Sequence, residues 1–398
     1  MSDERALLAS IWEYPHEDTP RLVYADWLDE HDNSARAEFI RVQCELSRGE
    51  EKPELAKREA ALWKAHAKAW KADLPKALQN APFRRGFVCP RRREVRVNAF
   101  LKLPATDFEA APLWDFSIPA APASLDKLLA CPSLLRVGTL AFVHWLGGAF
   151  MLNQFPLRKG ETRTTAQRFA DAPNVRNLEE LDLRFTGYLR DDGLAALCAS
   201  PHLTNLKRLS LACCEVGNAG VQALAAAPLA ARLESLDLQG NTPARADAVR
   251  TLFAPGAFPR LRELHLPATI GVKGLQAIAA SKPAFALRTF AVYVEEKADL
   301  EAFVAWPGLE SVRELNLMNS LIRDRIGAVF RAPRLAGLRV LWMEVNGNKP
   351  ADTAAFDALA SGELLPKLEE LHLPYSTYCL PDATFEKLRG RFGKKLFL

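Results

Sequence analysis

A short apolar motif, L-x-x-L-x-L, recurs eight times between residues 178 and 373 of this sequence. Successive copies start 25 to 30 residues apart. A fixed period of this length predicts a repeat architecture, because one unit cannot bury its apolar face alone and has to stack on its neighbours. The copies are LEELDL from Leu178, LKRLSL from Leu206, LESLDL from Leu233, LRELHL from Leu261, LRTFAV from Leu287, VRELNL from Val312, LRVLWM from Leu338 and LEELHL from Leu368.

Each copy predicts a short strand followed by a helix. The first, fourth and sixth positions are apolar, so a strand would turn them into a core and leave the third, fifth and seventh facing outward. The stretches between copies, such as DDGLAALCAS and VKGLQAIAAS, carry apolar residues at helical spacing. The ninth position should hold a polar group that bonds the backbone where the strand bends away. These residues are Thr186, Cys214, Asn241, Thr269, Glu295, Ser320, Asn346 and Ser376.

These features resemble the leucine-rich repeat, and the unit length is most similar to the ribonuclease-inhibitor-like class. The resemblance covers roughly residues 110–398. It implies an α/β leucine-rich-repeat solenoid, a horseshoe with parallel strands on the concave face and helices on the convex face. Weaker copies, LWDFSI from Leu113 and LRVGTL from Leu135, indicate that the array begins before residue 113.

One unit is irregular, because the weak copy at Leu135 and the next copy at Leu178 are separated by more than one period. The extra residues fall around 144–163. Insertions in solenoids form loops on one face, often the binding face, so this segment is either a binding loop or the product of a mispaired weak repeat.

The first 48 residues predict three helices, with Pro20 in the first turn of the second, where its missing N–H costs nothing. Charged residues are interleaved at spacings that allow pairing within or between antiparallel helices. The stretch offers no poised base, nucleophile or metal set, so we interpret it as a small all-α domain. The pairing candidates are Arg21, Asp26, Glu30, Glu38 and Arg41.

The run TPRLVYADWLDEHDNSARAEFIRVQCEL closely resembles the repeat-companion domain at the N-terminus of many bacterial leucine-rich-repeat proteins. The hallmark of that domain is D-x-P-R-L-x-Y-A-D-W-L-E-E followed by R-A-E-F-I-R-x-Q, and this chain departs from it mainly at Asp29, where Glu is usual. The resemblance covers about residues 3–48, and PFRRGF at 82–87 is similar to the junction that precedes the repeats in those proteins. It implies no established activity.

A basic amphipathic helix is predicted after this domain, with Trp63 and Trp70 near one side. It could lie on a membrane surface, but we favour a core-facing tryptophan pair that plugs the open end of the solenoid, since terminal repeats need caps. The predicted organisation is a helical domain at 1–50, a linking and capping helix at 51–81, and a solenoid with its N-terminal junction and C-terminal cap at 82–398.

Catalytic signatures are missing from the sequence. It has no phosphate-binding loop, dinucleotide fingerprint, zinc-protease helix, calcium loop or nucleophile elbow. Its seven cysteines are scattered and never spaced C-x-x-C, which favours reduced apolar fillers over disulfides or zinc ligands. We therefore expect no enzyme activity, cofactor or metal. The N-terminus lacks a signal-peptide pattern and no apolar run is long enough to span a bilayer, so we expect a cytoplasmic monomer that does not engage a membrane.

Charge is unevenly distributed near the N-terminus. Residues 1–51 hold 5 basic and 13 acidic side chains, whereas residues 52–96 hold 13 basic and 4 acidic ones. Internal complementarity explains this pattern, and we do not expect nucleic acid as the partner because the whole chain carries only +4. The alternative is a nucleic-acid patch formed by Arg84, Arg85, Arg91, Arg92, Arg93 and Arg96.

Function is then expected to depend on the outward strand positions. Along the array, charged side chains give way to aromatic ones, and Tyr293, Met318 and Trp342 on three successive units should form one patch of the kind that anchors protein interfaces. Trp342 could instead pack on its neighbours across the sheet. The main hypothesis is a scaffold that binds a protein, and the alternative is a regulator of a nucleotide-switch enzyme such as a GTPase. The candidate partner-binding residues are Asp182, Arg184, Asp237, His265, Tyr293, Asn316, Met318, Trp342, Glu344 and His372.

Overall fold

The structure, a computed structural model, describes residues 3–48, 52–76, 78–90, 93–119, 122–143, 163–185, 189–242, 244–282, 285–295, 300–322, 325–344, 352–374 and 380–398. It divides into two compact units. Unit 1 comprises residues 1–146, 171–182 and 201–205, and unit 2 comprises residues 147–170, 183–200 and 206–398. The segment at 144–162 lies outside the described residues, so the choice between a binding loop and a mispaired repeat stays open.

Unit 1 begins with four helices, all of them where the sequence predicts them. The third starts at Ser34, and Asn33 precedes it at the cap position. Their buried core contains Ile11, Ala25 and Ile40, so the apolar spacing read from the sequence does face inward. The helices are α1 (Asp3–Glu13), α2 (Thr19–Glu30), α3 (Ser34–Leu46) and α4 (Pro53–Ala72).

The predicted ion pairing of the helices is partly wrong. Arg41 does bridge Asp26 at 2.6 Å and Asp29 at 2.7 Å. Arg21 is buried and donates to the backbone carbonyls of Pro15 and Glu17, so it holds the α1–α2 connection instead of pairing with a carboxylate. A buried guanidinium with five donors can satisfy carbonyl oxygens that the chain leaves free at a helix boundary.

The tryptophan pair of α4 packs inside the helical segment. The ring of Phe39 lies 5.8 Å from Trp63 and 4.7 Å from Trp70, centroid to centroid. Phe83 closes the cluster at 5.0 Å from Trp63. Outside α4 itself, the described ring contacts of these tryptophans are with α3 and the strand that follows α4, where we had expected contacts with the first repeat.

The rest of unit 1 contains a hairpin and the first strands of the array. The hairpin turns at Gly86, whose φ is +85° and whose missing Cβ leaves room for Ile40. Four parallel strands follow in the order β3-β4-β5-β6, so the array begins before residue 113 as predicted. The elements are β1 (Phe83–Arg84), β2 (Phe87–Val88), β3 (Arg93–Glu94), α5 (Val97–Phe100), α6 (Ala105–Glu109), β4 (Trp114–Pro119), α7 (Pro122–Ala130), β5 (Val137–Val143) and β6 (Glu180–Asp182).

The frame of one weak repeat is shifted by two residues from our reading, because Leu140, read as the sixth position, pairs with Leu181, the fourth position of the next copy. Leu134 is fully buried, whereas Leu135, which we had taken as the first motif position, is half-buried. The register between β4 and β5 slips at the start of the pair, so that Trp114 lies opposite Val137 and Asp115 opposite Thr139. The extra residue is Gly138, and a bulge of this kind is not visible in a periodic pattern.

Unit 2 alternates strands and helices along its described residues. Its strands are parallel, and each pairs with the next one along the chain. The strands are β7 (Arg208–Ser210), β8 (Ser235–Asp237), β9 (Glu263–His265), β10 (Thr289–Ala291), β11 (Glu314–Leu317), β12 (Val340–Met343), β13 (Glu370–His372) and β14 (Leu396–Phe397). The helices are α8 (Thr165–Ala170), α9 (Arg190–Cys198), α10 (Asn218–Ala226), α11 (Ala246–Leu252), α12 (Gly271–Ala280), α13 (Leu300–Val304), α14 (Ile326–Phe330), α15 (Thr353–Ser361) and α16 (Asp382–Phe392).

The ninth motif position works as predicted at Cys214, Asn241, Thr269 and Ser320, whose side chains bond the backbone, whereas no such bond is described for Glu295. Asn241 accepts hydrogen bonds from the backbone N–H groups of Cys214 and Val216 at 3.1 and 2.9 Å and donates to the carbonyls of Leu211 and Leu238. Ser320 accepts from the backbone N–H of the preceding unit in the same way. These side chains satisfy backbone groups that the short strands leave unpaired. Thr186, Asn346 and Ser376 lie outside the described residues.

Candidate partner-binding surface

The outward sheet face of unit 2 consists of the third, fifth and seventh positions of the repeats from β7 to β14. Strand register places the fifth positions side by side, because each is the direct partner of the next in the parallel sheet. The row runs Ser210, Asp237, His265, Ala291, Asn316, Trp342, His372 and Phe397. Neighbouring members are about 4.8 Å apart, so their side chains contact each other and an outward residue can still be largely buried.

Three aromatic rings stack at one end of this row. Trp342 lies 3.4 Å from His372, centroid to centroid, with 6° between the ring planes. His372 lies 4.3 Å from Phe397 at 4°. The aromatic stack is thus Trp342, His372 and Phe397, in which His372 is buried, Trp342 half-buried and Phe397 45% exposed. Glu370 holds the histidine through a 2.7 Å hydrogen bond to its Nε2.

A polar cluster occupies the other end. Ser210 donates to Asp237 at 3.2 Å, and His265 lies 4.0 Å from Asp237 and 3.3 Å from Glu263. Desolvation lowers the pKa of His265, but the hydrogen bond with Glu263 and the charge of Asp237 raise it by more, so the net shift is upward. The hydrogen bond with His265 lowers the pKa of Glu263.

The middle of the face contains the remaining unit 2 candidates. Tyr293 and Met318 are half-buried seventh-position residues, two positions along the strand from the row that contains Trp342. Asn316 is the direct neighbour of Trp342, and its Oδ1 accepts from the backbone N–H of Met318 at 2.9 Å. Glu344 is buried at 8% exposure. Strand register therefore gives Trp342 the neighbours Asn316 and His372. The single patch predicted from Tyr293, Met318 and Trp342 stays a prediction.

The other predicted residues differ in exposure. Asp182 is buried at the end of β6 in unit 1. Arg184 is an exposed residue of unit 2.

Phe397 is a site residue that the sequence analysis missed, although the apolar residues of RFGKKLFL at the end of the sequence were its signal. A two-residue strand is too short for periodicity to place its side chains.

The basic segment is only partly available for binding. Arg85 is largely shielded and donates to the carbonyls of His16 and Pro15 at 2.7 and 3.0 Å. Arg84 lies 3.7 Å from the buried Glu179. Arg93 and Arg96 are exposed, and residues 91 and 92 lie outside the described part of the chain. The complementarity expected between the acidic and basic segments is seen at Arg85, which lies 3.3 Å from Asp18, and at Arg58, which lies 2.5 Å from Glu38.

Metal-binding clusters of three or more His, Cys, Asp or Glu side chains do not occur among the described residues. Within the same residues, no helix has both the length and the apolar character needed to cross a bilayer. The six described cysteines form no disulfide. Burial raises the pKa of the thiols of Cys44 and Cys198 to about 12, so both stay protonated at neutral pH.

Comparison with known proteins supports the repeat reading. The family model described as Leucine Rich repeat matches residues 176–198 and 202–225. This match supports a leucine-rich-repeat protein, and the parallel sheet with its regular helices has the fold of a leucine-rich-repeat solenoid preceded by helices.

Two further comparisons add little. A solved structure described as the crystal structure of the Rad7 and Elc1 complex in yeast is 16% identical, with 93% of this chain and 88% of that chain covered and a TM-score of 0.37. A TM-score this low supports no argument about function. No curated protein matches the chain.

Proposed function

We propose that this chain is a non-catalytic scaffold that binds a protein partner through the outward sheet face, which the repeat pattern predicts to be concave. The observation that carries the proposal is the aromatic stack. Three flat rings are in contact, and the last of them, Phe397 on strand β14, is 45% exposed. Aromatic side chains are enriched in the centres of protein interfaces because they bury much area at a low cost in conformational entropy.

Charge on the same face supports a protein partner over a polyanion. The third-position residues Glu263, Glu314 and Glu370 are acidic and half-buried, and Asp237 and Glu344 add carboxylates. A nucleic acid would be repelled by such a surface. A polypeptide with apolar and basic side chains would find both kinds of group here. The proposed contact residues are Asp237, His265, Tyr293, Asn316, Met318, Trp342, Glu344, His372 and, from the structure, Phe397, with Arg184 and Asp182 as further candidates.

The helical segment at 3–48 is proposed to be a repeat-companion domain on the basis of its sequence resemblance. Charged side chains of this segment are used within the fold, as Arg21 and Arg41 show. We therefore assign it a structural role and place partner binding on the outward sheet face.

Site-specific photo-crosslinking tests the proposed face. A photoreactive phenylalanine analogue at Asn316, which borders the stack, should crosslink one protein when the chain is exposed to lysate from cells that express it naturally. The same analogue at Gln222, an exposed residue of α10, is the matched control and should not capture that protein. Capture from Gln222 alone would place the partner on the helices, and turnover of a small molecule by the pure chain would contradict the scaffold itself.

A further inference from the structure

Four arginines occupy the second motif position in four successive repeats. Arg262, Arg288, Arg313 and Arg339 all have exposed side chains. They are direct neighbours, because the backbone N–H of Arg288 donates to the carbonyl of Arg262 at 2.6 Å, that of Arg313 to Arg288 at 2.8 Å and that of Arg339 to Arg313 at 2.8 Å. These residues form the arginine row, which immediately precedes strands β9 to β12.

The charges of the row are poorly neutralised within the described part of the chain. Arg339 lies 3.7 Å from Glu369, and both side chains are more than half exposed. Arg262, Arg288 and Arg313 have no described carboxylate within ion-pair distance. The strands that carry these like charges are about 4.8 Å apart, so neighbouring guanidinium groups repel each other and the row costs stability in the free protein. An anion with charges at similar spacing would turn this repulsion into attraction.

One arginine of the row is also held in place. The Nη1 of Arg313 donates to the carbonyls of Glu310 and Val312 at 2.9 and 3.0 Å. It lies over Gly337, where an added Cβ would come within 2.6 Å of it. A guanidinium held in this way loses less conformational entropy on binding.

The ends of the row define the size of the anion. The ladder of backbone hydrogen bonds continues to Glu234 before Arg262 and to Glu369 after Arg339, so a carboxylate flanks the row on each side. A long polyanion such as a nucleic acid would meet both carboxylates. The row itself spans about 14 Å, close to the about 16 Å covered by four acidic side chains on successive turns of an α-helix.

We propose that the arginine row is a second docking surface, separate from the outward sheet face, and that it binds a short acidic helix of a protein partner. Arginine suits this role because its planar fork can pair with carboxylates in a bidentate manner. The inference does not depend on the aromatic stack, so either surface can fail without the other.

The probe is a synthetic helical peptide of about 15 residues with Glu on one face at each turn, and its matched control carries Gln at those positions. Binding to the full chain is measured by fluorescence anisotropy at low and high salt. The acidic peptide should bind, binding should weaken as salt rises, and the Gln peptide should not bind. Absence of binding, or equal binding of the Gln peptide, would overturn the proposal.

The row variant replaces all four arginines: Arg262→Gln, Arg288→Gln, Arg313→Gln and Arg339→Gln. The charge-matched control replaces four exposed arginines on separate helices or loops: Arg5→Gln, Arg250→Gln, Arg331→Gln and Arg389→Gln. The row variant should bind the acidic peptide about tenfold more weakly, as expected for the loss of four exposed ion pairs, and the control should bind almost normally. Equal losses in both variants would show that only net charge matters.

A single-stranded oligonucleotide of equal charge decides between the two kinds of anion. If it binds the row more tightly than the peptide does, the proposal of a protein helix is wrong. Should the fourfold variant fail to fold, the double variant Arg262→Gln and Arg339→Gln replaces it, with Arg250→Gln and Arg389→Gln as control and a proportionally smaller loss expected.

Discussion

Single residues decide how each repeat ends, and Asn241 shows this most clearly. Its buried side chain makes two hydrogen bonds as acceptor and two as donor within 3.1 Å, all with the backbone of its own repeat or the preceding one. Cys214 has the equivalent position one repeat earlier and donates to the Leu183 carbonyl at 3.0 Å. The amide can satisfy both kinds of backbone group, whereas a thiol is a weak donor and acceptor.

Asn241→Ala should lower the free energy of unfolding by about 3 kcal/mol, because two backbone N–H groups and two carbonyls lose their buried partners. Chemical denaturation measures this. Asn205→Ala is the control, since Asn205 is only half-buried and makes one hydrogen bond, to the Arg176 carbonyl, and it should cost less than about 1 kcal/mol. Equal costs would contradict the role given to the ninth position.

His265 should make stability depend on pH. Its pKa is raised from 6.5, so its contribution is complete below 6.5 and is lost as pH rises through the folded value. The lowered pKa of Glu263 adds stability that is complete above its ordinary 4.5 and is lost as pH falls through the folded value. The pair should therefore stabilise the fold most between about pH 4.5 and 6.5.

The measurement compares His265→Gln with the parent chain at pH 5.5 and pH 8.5. The variant should lose more unfolding free energy at pH 5.5 than at pH 8.5, since only the protonated imidazole benefits from Glu263 and Asp237. The same difference at both pH values would show that the ring packs as a neutral group.

At the scale of elements, α3 is joined to its surroundings by a charged side chain inside an aromatic cluster. The Arg36 guanidinium lies 5.0 Å from the ring of Trp70 and 5.2 and 5.7 Å from those of Phe83 and Phe87. It also donates to the Gly86 carbonyl. Burial lowers the pKa of Arg36 to about 10, which still leaves it charged at neutral pH. One residue thus connects α3, α4 and the β1–β2 hairpin.

Arg36→Leu should destabilise the helical segment by about 2 to 3 kcal/mol, because cation–π contacts are lost and the Gly86 carbonyl loses its donor. Arg41→Leu removes two exposed ion pairs from the same helix and should cost under about 1 kcal/mol. Tryptophan fluorescence during denaturation follows both variants. A larger loss for Arg41 would mean that surface ion pairs hold this segment together.

Sequence reasoning succeeded at this scale wherever a pattern recurred. Eight copies of one motif fixed the strands of the regular repeats and the inward positions. It failed where a position was used only once: Gly138 adds a bulge, Arg21 bonds carbonyls, and Trp63 packs on α3. Periodicity predicts which side of an element faces the core. It contains no information on which residues from other elements pack against that side.

For the whole molecule, repetition turns single positions into rows. The strand register aligns equal positions of successive repeats, so one column of the motif becomes one stripe of the surface. The fifth position gives the stripe that ends in the aromatic stack. The second position, which the motif L-x-x-L-x-L leaves unspecified, gives the arginine row. The residue types of a stripe could therefore be predicted from the sequence. The 3.4 Å stacking distance between Trp342 and His372, and the lack of described carboxylates beside three arginines of the row, could not.

Trp342→Ala tests the central claim most directly when partner affinity and folding stability are both measured on it. The ring is half-buried and stacked on one side, so we expect a stability loss of about 1 to 2 kcal/mol and a loss in binding free energy of about 2 kcal/mol or more, roughly a thirtyfold rise in Kd. The crosslinked partner serves as the ligand for this measurement. A folded variant with unchanged affinity for that partner would contradict the account and remove the outward sheet face as its binding surface.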